Sequence, residues 1–171
     1  MNKLAFFLLA FFLISCKNEY QNLGNDLYEK KGNLFIYQKA KWSEKKGDSN
    51  VLEYYDSLCV FNNKQVYLNK IVDIPSFKKG DKYYFDKNYI YVHNSTPAFF
   101  PALNAIKSDS KFIQFLGYDY YKVDNKIYFQ SLEVKNANPK TFIVTDSASD
   151  GYYYGKDDSN FFYKAKQIQK R

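Results

Sequence analysis

A tyrosine that follows a large apolar residue recurs five times along this chain, as Ile36-Tyr37, Val66-Tyr67, Ile90-Tyr91, Ile127-Tyr128 and Phe162-Tyr163. The tyrosines lie 30, 24, 37 and 35 residues apart, a spacing regular enough to mark one structural unit used repeatedly. Ahead of the last three stand tyrosine clusters: Tyr83-Tyr84, Tyr120-Tyr121 and Tyr152-Tyr153-Tyr154. Between cluster and dipeptide lies a polar group: Asp86-Lys87-Asn88, Asp124-Asn125-Lys126, or Asp157-Asp158-Ser159-Asn160. Asn62-Asn63-Lys64 takes that place in the second copy and Lys31-Gly32-Asn33 in the first. A third feature recurs downstream, a bend ending in phenylalanine: Pro75-Ser76-Phe77, Asp109-Ser110-Lys111-Phe112 and Asn138-Pro139-Lys140-Thr141-Phe142.

Tyr, Ile, Val and Phe suit a pleated, half-buried surface. Asp and Asn close tight turns by bonding their own backbone, and they tolerate left-handed geometry. Two aromatic runs around such a group read as a hairpin. The expected fold is mainly β: antiparallel hairpin repeats in a meander or solenoid-like array, with at most one short helix. That helix is assigned to Pro101–Lys107, inside the one segment that fits the repeat poorly, Thr96–Lys107. Ser43–Asn50 reads as an exposed loop. Neighbouring residues in a strand point to opposite faces. If the copies stack in register, Ile36, Val66, Ile90, Ile127 and Phe162 form a core column. Tyr37, Tyr67, Tyr91, Tyr128 and Tyr163 form the other, either a second packed layer or an exposed aromatic strip.

Composition narrows the function. Aromatic residues make up 20% of 171 residues, too many for a disordered chain. Two cysteines are too few for a disulfide scaffold. A single histidine leaves no cluster for a catalytic metal, and no cofactor is expected. The net charge is +7, carried by lysines apart from Arg171. Without arginine forks for phosphate and guanine, nucleic acid is not an expected partner.

The N-terminus reads as an address. Lys3 precedes an apolar run, Leu4–Ile14, too short for the ~20 residues that cross a bilayer. It has the length of the apolar centre of a secretory signal. The run closes with Leu13-Ile14-Ser15-Cys16, which resembles the lipobox of bacterial lipoproteins. The resemblance implies cleavage before Cys16 and acylation there, and several acyl chains anchor stably. Residue 17 is lysine rather than the aspartate that in some bacteria marks inner-membrane retention, so the resemblance points to the outer membrane. It leaves open whether the domain faces the periplasm or the outside. The expected organisation is a signal peptide over 1–15, a lipidated tether over 16–26, and a repeat domain over 27–171. The mature chain then holds one further cysteine, Cys59, in the apolar run Leu58-Cys59-Val60-Phe61, which reads as a packing residue.

Asp86-Lys87-Asn88-Tyr89-Ile90-Tyr91 closely resembles the name-giving motif of the DKNYY family, a repeat of bacterial exported proteins. Asp124–Phe129 followed by Asn138-Pro139-Lys140-Thr141-Phe142 is similar to a full second copy, and Tyr152–Ile168 to a truncated third. The match runs over residues 79–168. It implies export and a repeat architecture, and brings no catalytic residue with it.

The remaining candidates each have a plain structural explanation. His93, in Val92-His93-Asn94-Ser95-Thr96, reads as a turn residue rather than a catalytic base. Asp146, Asp150, Asp157 and Asp158 suggest acid–base work or a hard cation, but turn-making explains the recurrence of Asp86, Asn88, Asp124, Asn125 and Asp157. Asp56-Ser57-Leu58 and Asp146-Ser147-Ala148 resemble a bacterial O-glycosylation triplet. The expected function is a lipid-anchored, non-enzymatic envelope protein that binds or scaffolds an envelope partner. The alternative is a glycan- or peptidoglycan-binding module using Tyr67, Tyr91, Tyr128 and Tyr163. A hydrolase ranks last and would need a polar pocket at His93.

Overall fold

The computed structural model describes residues 19–42, 50–94 and 103–169. Their strands form four sheets. The first runs in chain order through β1 (Gln21–Gly24), β2 (Leu27–Lys30), β3 (Asn33–Trp42) and β4 (Asn50–Asp56). The second contains β5 (Leu58–Phe61), β6 (Lys64–Tyr67), β7 (Lys78–Lys79), β8 (Tyr83–Phe85), β9 (Tyr89–His93) and β10 (Leu103–Lys107). Its spatial order is β6-β5-β10-β9-β8-β7. The third is the meander β11 (Ile113–Gly117), β12 (Tyr120–Val123), β13 (Lys126–Phe129) and β14 (Leu132–Glu133). The fourth is β15 (Ile143–Ser147), β16 (Tyr153–Lys156), β17 (Phe161–Tyr163) and β18 (Lys166–Ile168). The only helical elements among the described residues are two single 3-10 turns, Leu68–Lys70 and Ile74–Ser76.

The mainly β repeat architecture holds, with three corrections of detail. Residues 103–107 are strand, not helix. Leu103, Asn104, Ala105 and Ile106 are all buried because β10 is wedged between β9, antiparallel, and β5, parallel. A run buried on both faces reads the same as a buried helix turn, and pairing decides between them. That β5–β10 pair is also a parallel departure from the expected meander. Third, the tether is shorter than expected, since residues 21–24 pair with β2. Cys16 and the signal segment lie outside the described residues, as do 43–49 of the expected loop.

Period-two alternation divides the interior into three cores lying in series. Leu27, Leu34 and Ile36 of the first sheet meet Cys59, Tyr84, Tyr91, Leu103 and Ala105 of the second. The opposite face of the second sheet supplies Ile90, Val92 and Ile106, which meet Ile113, Tyr121 and Val123 of the third. The far face of the third sheet supplies Tyr120, Ile127 and Phe129, which meet Phe142 and Phe162 at the fourth. The second and third sheets are therefore buried on both sides, and each buried ring or branched chain contributes roughly 1.5–3 kcal/mol. Packed sheets lie ~10 Å apart, so four of them make a stack ~30 Å deep. In the fourth sheet Gly155 is required by packing: a β-carbon there would collide with the Phe142 ring.

The turns at the recurrent polar groups fall into two kinds. Lys31-Gly32, Asn62-Asn63 and Asp124-Asn125 are two-residue turns with positive φ at both positions, the geometry that matches strand twist. Residues 86–89 and 157–160 are four-residue turns between Phe85 and Ile90 and between Lys156 and Phe161. Counting from these turns, Tyr91 occupies the place that Phe162 takes in the last sheet, one residue off the alignment by dipeptide. The expected columns are corrected accordingly. Ile36, Ile90, Ile127 and Phe162 are buried but serve different cores, and the five tyrosines do not share a face.

Candidate functional site

The recurrent aspartates fasten one repeat segment to the next. Asp86 is itself buried; its Oδ1 accepts the backbone N–H of Asn88 at 2.7 Å and of Tyr89 at 2.8 Å. Its Oδ2 accepts the Asp73 N–H at 2.9 Å and the Tyr91 hydroxyl at 2.6 Å. Asp157 repeats this, taking the N–H groups of Ser159 and Asn160 on Oδ1 and that of Asn138 on Oδ2. The match extends to the bend: Lys87 N–H donates to Ser76 Oγ as Asp158 N–H donates to Thr141 Oγ1. Asp124 accepts from Asp109 and Ser110 N–H. Burial would raise the Asp157 carboxyl, but the donors of Asn138, Ser159 and Asn160 outweigh it and hold the group below the ordinary aspartate value. Asp124 is likewise held low against its burial by Ser110 and Asp109. Asp86, Asn88, Asp124, Asp157 and the left-handed Asn125 thus build the scaffold.

The bend phenylalanine follows the same logic. Phe77 and Phe142 are buried in the first and third cores. Counted from the N–H that the aspartate takes, the middle bend (Asp109–Phe112) is one residue shorter than Asp73–Phe77 and Asn138–Phe142 and turns through Lys111 at φ 56°, which leaves Phe112 69% exposed.

The four candidate tyrosines separate. Tyr91 is fully buried with its hydroxyl on Asp86, which pushes it far above the ordinary phenol range, burial being the larger cause. It cannot stack on a sugar, which corrects its assignment as a binding residue. Tyr67 is 56% exposed on β6, an edge strand. Tyr128 is half-buried beside the second core. Tyr163 lies in a cleft.

That cleft, about 760 Å³, opens on the outer face of the fourth sheet and is lined by Thr145, Asp146, Tyr154, Phe161, Tyr163 and Ile168, with Gln169 at its end. Its position follows from alternation: Phe162 and Gly155 point to the third core, so Phe161, Tyr163 and Tyr154 point out. Tyr154 and Tyr163 face each other across the strands with centroids 5.5 Å apart. Asp150 accepts the Tyr163 hydroxyl, and Lys164 lies 3.3 Å from the same carboxylate, which fixes that ring. Rings beside hydroxyl, amide and carboxylate groups in an open cleft suit stacking with lateral hydrogen bonds. Tyr154 and Phe161 were not singled out from sequence. Their signal was alternation and pairing: with Phe162 facing the core, both of its neighbours face outward, and Tyr154 lies across from Tyr163.

At His93 the ring sits edge-on to Tyr84, 5.6 Å between centroids, at the exposed end of β9. Nearby Asp26 accepts from Lys79 Nζ at 2.6 Å and from the Tyr84 hydroxyl at 2.8 Å, while Asn25 bonds Phe77 O and Lys79 N–H. These contacts tie the first sheet to the second. Cys59 is a buried thiol pushed up to about 12 by burial and the neighbouring Asp56. Among the described residues no group of three or more His, Cys, Asp or Glu is arranged to hold a metal, and no helix is long and apolar enough to cross a membrane.

Compared with known proteins, the chain matches no family model, no curated protein and no solved structure.

Proposed function

We propose that this chain is an exported, lipid-anchored envelope protein of the DKNYY-repeat type that works by binding through the outer face of its last sheet. The observation that carries the reading is the open aromatic cleft formed by Tyr154, Phe161 and Tyr163. The recurrent aspartates support it, since their oxygens are engaged by backbone donors and structural hydroxyls. Lipidation rests on Leu13-Ile14-Ser15-Cys16. Mass spectrometry of the membrane-purified chain is expected to find an acylated N-terminal Cys16 and no residues 1–15; an unmodified N-terminus refutes it. Protease treatment of intact cells then decides the side of the membrane. Digestion without permeabilisation places the domain outside; protection places it in the periplasm.

The glycan reading is favoured by the same cleft, where rings are flanked by Thr145, Asp146 and Gln169. Pull-down with peptidoglycan and with purified envelope polysaccharide tests it. Tyr154→Ala and Tyr163→Ala should each weaken retention several-fold if the rings stack on sugar, because a stacked ring contributes about 0.5–1.5 kcal/mol beyond the area it buries and about 1.4 kcal/mol is tenfold. Retention unchanged in both variants removes the glycan and leaves a protein partner. Turnover of any substrate abolished by one substitution would overturn the binding role altogether.

A further inference from the structure

The outer face of the first sheet is a carpet of aromatic rings. β2, β3 and β4 turn Leu27, Leu34 and Ile36 inward, so Tyr28, Phe35, Tyr37 and Tyr55 point away from the core. Tyr20 completes the set. It stacks flat on Tyr55 with centroids 3.9 Å apart and meets Phe35 edge-on at 5.0 Å. Tyr28 and Tyr37 lie 5.1 Å and 5.5 Å from Tyr55. Lysines border the rings: Lys30 Nζ is 4.5 Å above Tyr20, and Lys39 pairs with Glu53 at 2.7 Å. Val51 on β4 adds a branched apolar chain, 46% exposed.

We infer that this face lies on the headgroup region of the bilayer that holds the Cys16 anchor. The inference rests on the lipid-anchor reading above. Its argument is reach. Only residues 17–19 separate Cys16 from Tyr20, which is already part of the carpet. Four steps of extended chain span at most ~14 Å, so on this shortened tether the acylated cysteine is held beside these rings. Tyrosine is the ring that suits this depth, with an apolar body for the acyl boundary and a hydroxyl for water and phosphate. Lysines reach phosphate from the same plane while laying their stems along apolar surface. The cleft of the fourth sheet then faces away from the membrane, ~30 Å above it, by the sheet spacing.

Amine footprinting of the membrane-purified full chain tests this, in phosphatidylethanolamine/phosphatidylglycerol vesicles and in detergent. Acetylation of Lys30 and Lys39 is expected to fall several-fold in vesicles, while Lys140 and Lys166 react equally in both. A Tyr28→Ser/Tyr37→Ser chain should still co-sediment with the vesicles and should lose that protection. Co-sedimentation with uniform lysine reactivity overturns the seating and leaves the anchor intact. Protection that persists in detergent and grows with protein concentration assigns the face to a second copy and also overturns it. A chain that fails to co-sediment removes the anchor, and the seating with it.

Discussion

Replacing Asp86 by alanine removes one carboxylate that receives four donors, and the structure sets the size of the effect. The Tyr91 hydroxyl is buried and the Asp73 N–H is part-buried, so neither regains full hydration when the carboxylate goes. The Asn88 and Tyr89 bonds are part-buried too, but they lie within the turn itself beside exposed Lys87 and Asn88, where water replaces part of what is lost. Hydrogen bonds to a charged group contribute about 1.5–3 kcal/mol, so two unreplaced bonds predict a loss of about 3–6 kcal/mol. That is a large share of the 5–15 kcal/mol typical of a domain. The equivalent change at Asp157 strips the N–H groups of Asn138, Ser159 and Asn160 and involves no buried hydroxyl; only the part-buried Asn138 bond goes unreplaced, so a loss of about 1.5–3 kcal/mol is expected. Tyr91→Phe, which deletes only the hydroxyl, should fall near about 1–2 kcal/mol. Urea unfolding followed by circular dichroism gives all three from the midpoint and slope. If Asp86→Ala costs under about 1 kcal/mol, or no more than Asp157→Ala, the clip is not what joins the second sheet to its bend.

Three further outcomes are expected. Phe77→Ala and Phe142→Ala should each cost about 3–5 kcal/mol, while Phe112→Ala, at an exposed site, stays within about 0.5 kcal/mol by the same urea assay. Asp124 and Asp157 titrate below the unfolded value, so their contribution is complete above about pH 4 and is lost as pH falls through the folded value. The urea midpoint should therefore drop below pH 4, less steeply in Asp157→Asn, and a flat profile contradicts this. Cys59, with its thiol near 12, should resist a thiol reagent at neutral pH until urea unfolds the chain, as read by mass.

The hairpins were legible because their causes are local. Asn62-Asn63 or Asp157-Asp158-Ser159-Asn160 makes a turn by bonding its own backbone, whatever lies elsewhere. The faces were not, because they depend on turn length. Turns of two and of four residues sit at the same place in the pattern, and a one-residue slip in alignment moves every side chain to the other face. That is why Tyr91 was grouped with Tyr163, though it shares the environment of Phe162. Tyr154 and Phe161 were missed at the cleft because only strand pairing gathers them beside Tyr163. β10 was obscured for another reason: Leu103-Asn104-Ala105-Ile106 carries no alternation, since both of its faces are covered. The aromatic carpet was missed because Tyr20 precedes the first strand while Tyr28 and Tyr55 come from separate strands, and only pairing brings them together.

Three of the four sheets are assembled wholly from strands adjacent in sequence, and the second is not. Its two halves, β6-β5 and β9-β8-β7, are joined only when β10 slides between β5 and β9. On a chain folding from its N-terminus, those two edges stand open until residues 103–107 arrive. During that interval the molecule has a strand-shaped gap with one parallel and one antiparallel wall, lined by Cys59, Val60, Tyr91 and Val92. Any extended apolar segment can occupy it by the same main-chain pairing, including β10 of another copy. Fidelity of assembly thus turns on one five-residue strand arriving before a competitor.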